Sequence, residues 1–224
     1  MRSSMIRHLI LKDWRLNRMP ISLSIVLGLI ALLVAQCGVE AVRLLGSVWF
    51  FISLCVLGSM LPGVAIVNER KKQTLAFVMS LPVSSVQYTI AKGLSILAMF
   101  LFPWLTLLIS ALVVIETRDD IPHGVIPMLI ILAMLPLIGF CIMSAAALVG
   151  ESEGWLMVAS VLCNSSYWFA WYLLARMPSL AANWGRPVAV WNPAAFMVLS
   201  SEVGSIALIM AITFFFQSRK RDFI

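Results

Sequence analysis

The chain has 224 residues, of which 62% are apolar and only 12% are charged, and its mean hydropathy is +1.00. A water-soluble domain carries about 25% charged residues and could not bury so much apolar surface, which excludes a soluble enzyme. We interpret the net charge of +6 as basic residues collected in cytoplasmic loops, not as a nucleic-acid signature. The composition therefore predicts an all-α integral membrane protein.

Residues 1–19 are predicted to form a basic amphipathic helix. The segment holds five basic residues, and most of its apolar residues fall on one side of a helical wheel. Such a pattern suits a helix that lies in the headgroup layer of a membrane. Pro20 is expected to open the first span, so that an interfacial helix (1–19) precedes a transmembrane domain (20–224).

Six apolar segments follow, each close to the roughly 20 residues that a spanning helix needs. They are predicted at about 21–37, 44–67, 92–115, 124–149, 155–174 and 195–217. With the N-terminus inside, the inner segments carry 12 Lys and Arg residues and the outer loops carry 4. Because basic residues concentrate on the cytoplasmic side, we expect both termini in the cytoplasm and the chain in the cell (inner) membrane.

The inner loop 68–91 carries the densest charge up to this point in the chain. It begins with the run NERKK at 68–72, and Leu75, Val78 and Leu81 then recur at helical spacing. Pro82 is expected to end this short helix. Ser84 with Gln87 fits a capping box for a second helix, which continues into the third span.

This loop has two interpretations. It could be an ordinary inner loop held to anionic lipid by its basic residues. Alternatively, it is a docking element, in which a small apolar surface ringed with charge inserts into a cytoplasmic partner.

The sequence lacks the motifs of several function classes. It has no P-loop, no H-E-x-x-H and no G-x-S-x-G, so we expect neither an intrinsic ATPase nor another enzyme. His8 and His123 are predicted on opposite sides of the membrane and could not share a metal. The spans are almost free of charge, and Glu202 is the exception, placed near the outer interface. This pattern disfavours a charge-driven secondary transporter.

The fifth predicted span has an unusual polar centre. Asn164 and Ser165 are followed by an aromatic run that includes Tyr167 and Trp168. One interpretation is helix–helix hydrogen bonding beside an interfacial aromatic belt. The other is that Asn164, Ser165, Tyr167 and Trp168 line a translocation path.

Two segments resemble those of a known family. Residues 69–75 (ERKKQTL), 80–84 (SLPVS) and 91–93 (AKG) resemble the pattern E-x-x-x-x-T-L, L-P-V-S, x-K in membrane subunits of ABC exporters of the type 2 export family. Residues 192–196 (NPAAF) resemble the N-P-x-x-[FY] found before the last span of these subunits. The layout of the whole chain is similar, whereas motif agreement is concentrated at 69–93.

The resemblance implies a specific architecture. It implies an amphipathic N-terminal helix, six spans, a cytoplasmic coupling helix within 68–91 and short re-entrant helices in the outer loop 175–194. Two copies of a separate P-loop subunit would bind ATP and Mg, and the permease would pair with a second copy or a related chain. The residues expected to contact the ATPase are Glu69, Arg70, Thr74, Leu75, Phe77, Val78, Leu81 and Pro82.

The cargo is constrained only by the scarcity of charge in the spans. A hydrophobic or amphipathic molecule fits best, such as an antibiotic, a peptide or a lipid-linked compound. The alternative is a non-transporting accessory or anchor protein, which uses the inner loop to hold a cytoplasmic partner.

Overall fold

The computed structural model describes residues 2–67, 85–150 and 152–219, and over these ranges the chain is helical and contains no strand. The helices are α1 (Arg2–Val34), α2 (Glu40–Pro62), α3 (Ser85–Thr117), α4 (Ile126–Gly150), α5 (Glu153–Ala175), α6 (Pro178–Ala181) and α7 (Pro193–Arg219). A π-helical turn, Gly63–Val67, follows α2, and a 3₁₀ turn, His123–Val125, precedes α4.

Five helices are long and apolar enough to cross a membrane. They cover Leu11–Val34, Glu40–Ile66, Lys92–Thr117, His123–Gly150 and Pro193–Gln217. Four of these positions agree with predicted spans to within a few residues, and the first overlaps the predicted span 21–37 but begins ten residues earlier. The predicted fifth span coincides with α5, which has 23 residues but is not among the five. The hydropathy of α5 is lowered by its central Asn and Ser residues and by its Trp and Tyr residues. That α5 spans the membrane, which would bring the spans to six, therefore remains a prediction.

Helix α1 differs from the prediction at its proline. Pro20 lies inside one continuous helix instead of separating two. Its buried positions run along a single face on both sides of the proline, at spacings of three and four residues. They are Asp13, Asn17, Ile21, Ser24, Gly28 and Ala31. Because one face is buried throughout, packing against α2 and α3 keeps the helix continuous despite the hydrogen bond that proline removes.

The long helices alternate in direction, which gives the bundle two distinct ends. At the near end, α1 begins, the segment 68–84 joins α2 to α3, and α4 turns into α5. The far end holds the α1–α2 turn, the α3–α4 loop and the segment between α5 and α7. Lys92 meets Asp13 at the near end, and Arg118 meets Gln36 at the far end, so α1 and α3 run parallel.

Helix α4 is the centre of the core and contacts α2, α5 and α7. Its Phe140 ring stacks on Phe100 of α3 with a centroid distance of 4.4 Å, and Gly58 of α2 packs beside both rings. Trp104 of α3 donates its indole N–H to the Ala133 carbonyl at 2.7 Å. Each long helix therefore either contacts α4 or contacts a helix that does. The polar features lie at the two ends of the bundle or along the helix faces.

Candidate functional site

The predicted coupling residues lie outside the described part of the chain. They are Glu69, Arg70, Thr74, Leu75, Phe77, Val78, Leu81 and Pro82. The described residues on either side are Val67, at the end of the π-helical turn, and Ser85, at the start of α3. Helix α3 thus begins directly after the predicted N-cap Ser84 and continues through the third span, as predicted.

A buried ion pair lies at the near end, where the segment 68–84 joins α3. The Lys92 ammonium is 2.8 Å from the Asp13 carboxylate, and the two side chains are only 5% and 6% exposed. The pair connects α1 to α3 across 79 residues of sequence. Charges are costly to bury unless they are paired, so this contact holds the two helices in one register.

Sequence analysis missed this pair. The helical wheel of residues 1–19 was interpreted from its apolar and basic residues, whereas Asp13, an acid, lies on the buried face of α1. Asn17, one turn later on the same face, donates its Nδ2–H to the Asp13 carbonyl at 2.9 Å. The available signal was the spacing of Asp13 and Asn17 in line with Ile21. Nothing in the pattern of α1 alone identifies Lys92 as the partner.

Three of the four residues proposed for a translocation path are exposed, and one is buried. Asn164 is exposed, and its Nδ2–H donates to the Ser160 carbonyl at 2.8 Å. Ser165 and Trp168 are also exposed. Tyr167 is buried and packs against Phe51 of α2, at a centroid distance of 6.2 Å.

A small groove brings two of these four residues together. Asn164 and Tyr167 line it with Ser59 of α2 and Pro136 of α4, and its volume is only about 30 Å³. The groove is too small for cargo in this conformation. The path assignment therefore remains a prediction.

Glu202 is buried within α7, whereas sequence analysis placed it near the outer interface. It lies nine residues after Pro193, about 14 Å along the helix. Its side chain belongs to the face of α7 that packs on α4, together with Ala195 and Thr213. Among the described residues, neither carboxylate oxygen has a hydrogen-bond partner. A buried acid without a partner inside a span is a marked departure from the apolar pattern.

The loops at the far end bind each other. The Gly124 N–H donates to the Arg186 carbonyl at 2.9 Å, and Nδ1 of His123 is 3.0 Å from the Pro187 carbonyl. A Cβ at position 124 would collide with the Asn183 carbonyl oxygen, so glycine is required by this close approach. The α3–α4 loop is thereby fixed to the segment that precedes α7.

The NPAAF segment has a clear local role in this loop. Asn192 accepts a hydrogen bond from the Ala195 N–H at 2.8 Å, and Pro193 occupies the first position of α7. This is an N-cap followed by a proline at the first helical position. The Asn192 amide also donates to the Ser179 carbonyl in α6, the four-residue helix in the predicted re-entrant loop 175–194.

A cavity of about 410 Å³ lies at the far end, between the ends of α1 to α4. Apolar side chains line most of it, among them Phe51, Leu132 and Trp171. Gln36, Arg43 and Asp120 lie on its loop side. Its volume lies in the range of small-molecule sites, as does that of a second cavity of about 430 Å³ between α4 and α5, which is lined almost entirely by apolar side chains.

Over the described residues, the arrangement offers binding surfaces. No group of three or more His, Cys, Asp or Glu residues that could hold a metal occurs over residues 2–67, 85–150 and 152–219. These surfaces can recognise a ligand or a partner through apolar and charged side chains. Comparison with protein-family models, curated proteins and solved structures found no match to this chain.

Proposed function

We propose that this chain is the transmembrane permease subunit of an ATP-driven ABC exporter, coupled to a separate ATP-binding subunit. The observation that carries the proposal is the sequence of 69–93, which resembles the coupling segment of type 2 export permeases. The five apolar helices and their short connections support it, because they match a subunit built to span a membrane.

An ATP-driven permease of this kind needs a partner that supplies the energy for transport. The sequence contains no P-loop, and a chain without a nucleotide site can be driven only through a contact whose free energy differs between two states. The segment 68–84 joins α2 to α3, and Lys92 at the start of the third span is paired with Asp13 of α1. A displacement of this segment would therefore act on three helices, α1, α2 and α3.

The remaining parts of the proposal follow from the same family resemblance. Two ATP-binding subunits with ATP and Mg would bind at the cytoplasmic side, and two permeases, identical or related, would form the path. All six predicted spans, α5 included, would lie in the cell (inner) membrane with both termini in the cytoplasm. The cargo would be hydrophobic or amphipathic, as an antibiotic, a peptide or a lipid-linked molecule is.

The test is a charge placed in the predicted contact. Phe77→Asp would bury an unpaired carboxylate in the partner's pocket and should release the P-loop ATPase that co-purifies with the chain. Gln73→Asp is the matched control, because it adds the same charge to the same segment at a polar position. Membrane insertion should be unchanged in both variants.

Three measurements separate the outcomes. ATPase retention on the affinity-purified chain and ATP hydrolysis stimulated by the chain should both fall in Phe77→Asp and persist in Gln73→Asp. Normal binding and transport by Phe77→Asp would make 68–84 a lipid-facing linker and refute the coupling role. Retention of the ATPase by the unmodified chain without stimulated hydrolysis would favour the accessory or anchor protein instead.

A further inference from the structure

The far-end cavity has the properties of a ligand site. Its volume of about 410 Å³ falls toward the small end of the range for ligand pockets, about 300–1,000 Å³. It extends from Arg43, near the start of α2, to Phe51, eight residues further along the same helix. That separation corresponds to about 12 Å of helix, so the cavity is deep enough to hold an extended apolar group.

The deep part and the loop side of the cavity differ in chemistry. Phe51, Ala111 and Leu132 line the part within the bundle, and these residues offer only dispersion contacts and apolar surface. Gln36, Arg43 and Asp120 lie at the loop side. A molecule that fills the cavity must therefore be apolar at one end and polar at the other.

The charges at the loop side favour an anion. Arg118 binds both carboxylate oxygens of Asp120, at 2.8 and 3.1 Å, which neutralises that acid. The hydrogen bond from Arg118, with a smaller contribution from Arg43, lowers the pKa of Asp120 below its usual value. Arg43 itself has no salt bridge and no side-chain hydrogen bond to any described residue. A guanidinium whose N–H donors bind no described side chain thus stands at the mouth of an apolar cavity, within electrostatic reach of Asp120, which Arg118 already pairs.

We propose that this cavity binds an amphiphile with a single apolar tail and an anionic head group. The head group pairs with Arg43, and the tail extends along α2 toward Phe51 and Leu132. A guanidinium at a water-accessible mouth binds carboxylate, phosphate or sulfate oxygens with charge-assisted hydrogen bonds. The volume suits one tail and not the two of a membrane phospholipid. The proposal does not depend on the transport function.

Photolabelling tests the site on the full chain. The probe is decanoic acid with a diazirine near the end of its tail, added to the chain in phosphatidylcholine nanodiscs, and the labelled residues are identified by mass spectrometry. We expect labels on cavity residues such as Leu132. The same tail with a quaternary ammonium head should label these residues at least several-fold less.

Two pairs of variants make the test specific. Val114 lines the cavity, whereas its neighbour Val113 is exposed on the outer surface of α3. Val114→Trp should abolish labelling by filling the space, and Val113→Trp should leave it unchanged. Arg43→Gln should weaken binding of the acid by about tenfold or more through loss of a charged partner. Arg186→Gln, at the same end but outside the cavity, should not.

Several results would overturn the proposal. Equal labelling of the Val113→Trp and Val114→Trp proteins would mean that the probe is in the surrounding lipid. Equal binding of acid and ammonium probes, or no effect of Arg43→Gln, would remove the role of the head group. Displacement by added phosphatidylglycerol but not by unlabelled decanoic acid would assign the cavity to a two-tailed lipid. Because Arg43 is exposed, Arg43→Gln remains informative if Val114→Trp fails to fold.

Discussion

The Asp13–Lys92 pair gives the most demanding test of the structure. Two unit charges 2.8 Å apart attract by about 6 kcal/mol at an effective dielectric constant of about 20. Burying each ion costs several kcal/mol, so the intact pair adds little net stability. Removing one member leaves the other buried without this partner, which typically costs about 3–5 kcal/mol.

We therefore expect Lys92→Met and Asp13→Leu each to lower the free energy of unfolding by about 3–5 kcal/mol. The double variant replaces both charges with apolar groups in a buried site, and it should lie within about 1–2 kcal/mol of the original protein. The assay is equilibrium unfolding in mixed micelles of a mild detergent and SDS. Arg15→Met, on the exposed face of the same helix, is the control and should change stability by less than about 0.5 kcal/mol.

The double-mutant cycle tests whether the Asp13 and Lys92 charges are in contact. A coupling energy of several kcal/mol places the two charges in contact, as in the structure. If the two single effects simply add, or if Lys92→Met unfolds as the original protein does, the ion pair is absent in the membrane. The parallel packing of α1 against α3 at the near end would then lose its main polar contact.

Three further predictions concern other parts of the chain. A reporter that is active only in the cytoplasm should be active when fused to Ile224, and inactivity would refute the proposed topology. Gly124→Ala should destabilise the protein by about 1–3 kcal/mol in the same unfolding assay because its Cβ meets the Asn183 carbonyl, whereas Gly204→Ala, with open space around it, should not. Glu202→Leu should raise the free energy of unfolding because it removes a buried carboxylate that lacks a partner among the described residues, and a fall would show that the acid makes a stabilising contact.

The positions of the spans could be predicted from the sequence because the membrane imposes a length and a composition on each one. Five predicted spans agree with apolar helices of the structure, and the start of α3 agrees with the capping box at Ser84 and Gln87. These features are local, since they depend on hydropathy and on side chains within a few residues. The same reasoning failed at Pro20, because tertiary packing on one face of α1 outweighs the local helix-breaking effect of proline.

The polar sites could not be predicted in the same way. Asp13 and Lys92 are far apart in the sequence, and nothing in either segment reports the contact. The cavity arises from the spacing of four helices, which hydropathy does not encode. Glu202 stood out as a charge in an apolar stretch, but only the packing of α7 on α4 shows that it is buried. Sequence therefore identified which residues were unusual without showing which of them meet.

The hydrogen bonds between the two far-end loops hold the start of α4 in place, so that α4 would tilt about this end. With the Gly124 N–H bound to the Arg186 carbonyl and His123 beside the Pro187 carbonyl, the start of α4 is joined to the segment that precedes α7. Helix α4 has 25 residues and is about 38 Å long, so it acts as a lever about that end. A tilt of about 10° would displace its other terminus by roughly 6–7 Å while the fastened end hardly moved. Displacement of α4 would therefore be largest at Gly150, the end nearer the π-helical turn Gly63–Val67, and smallest beside the cavity.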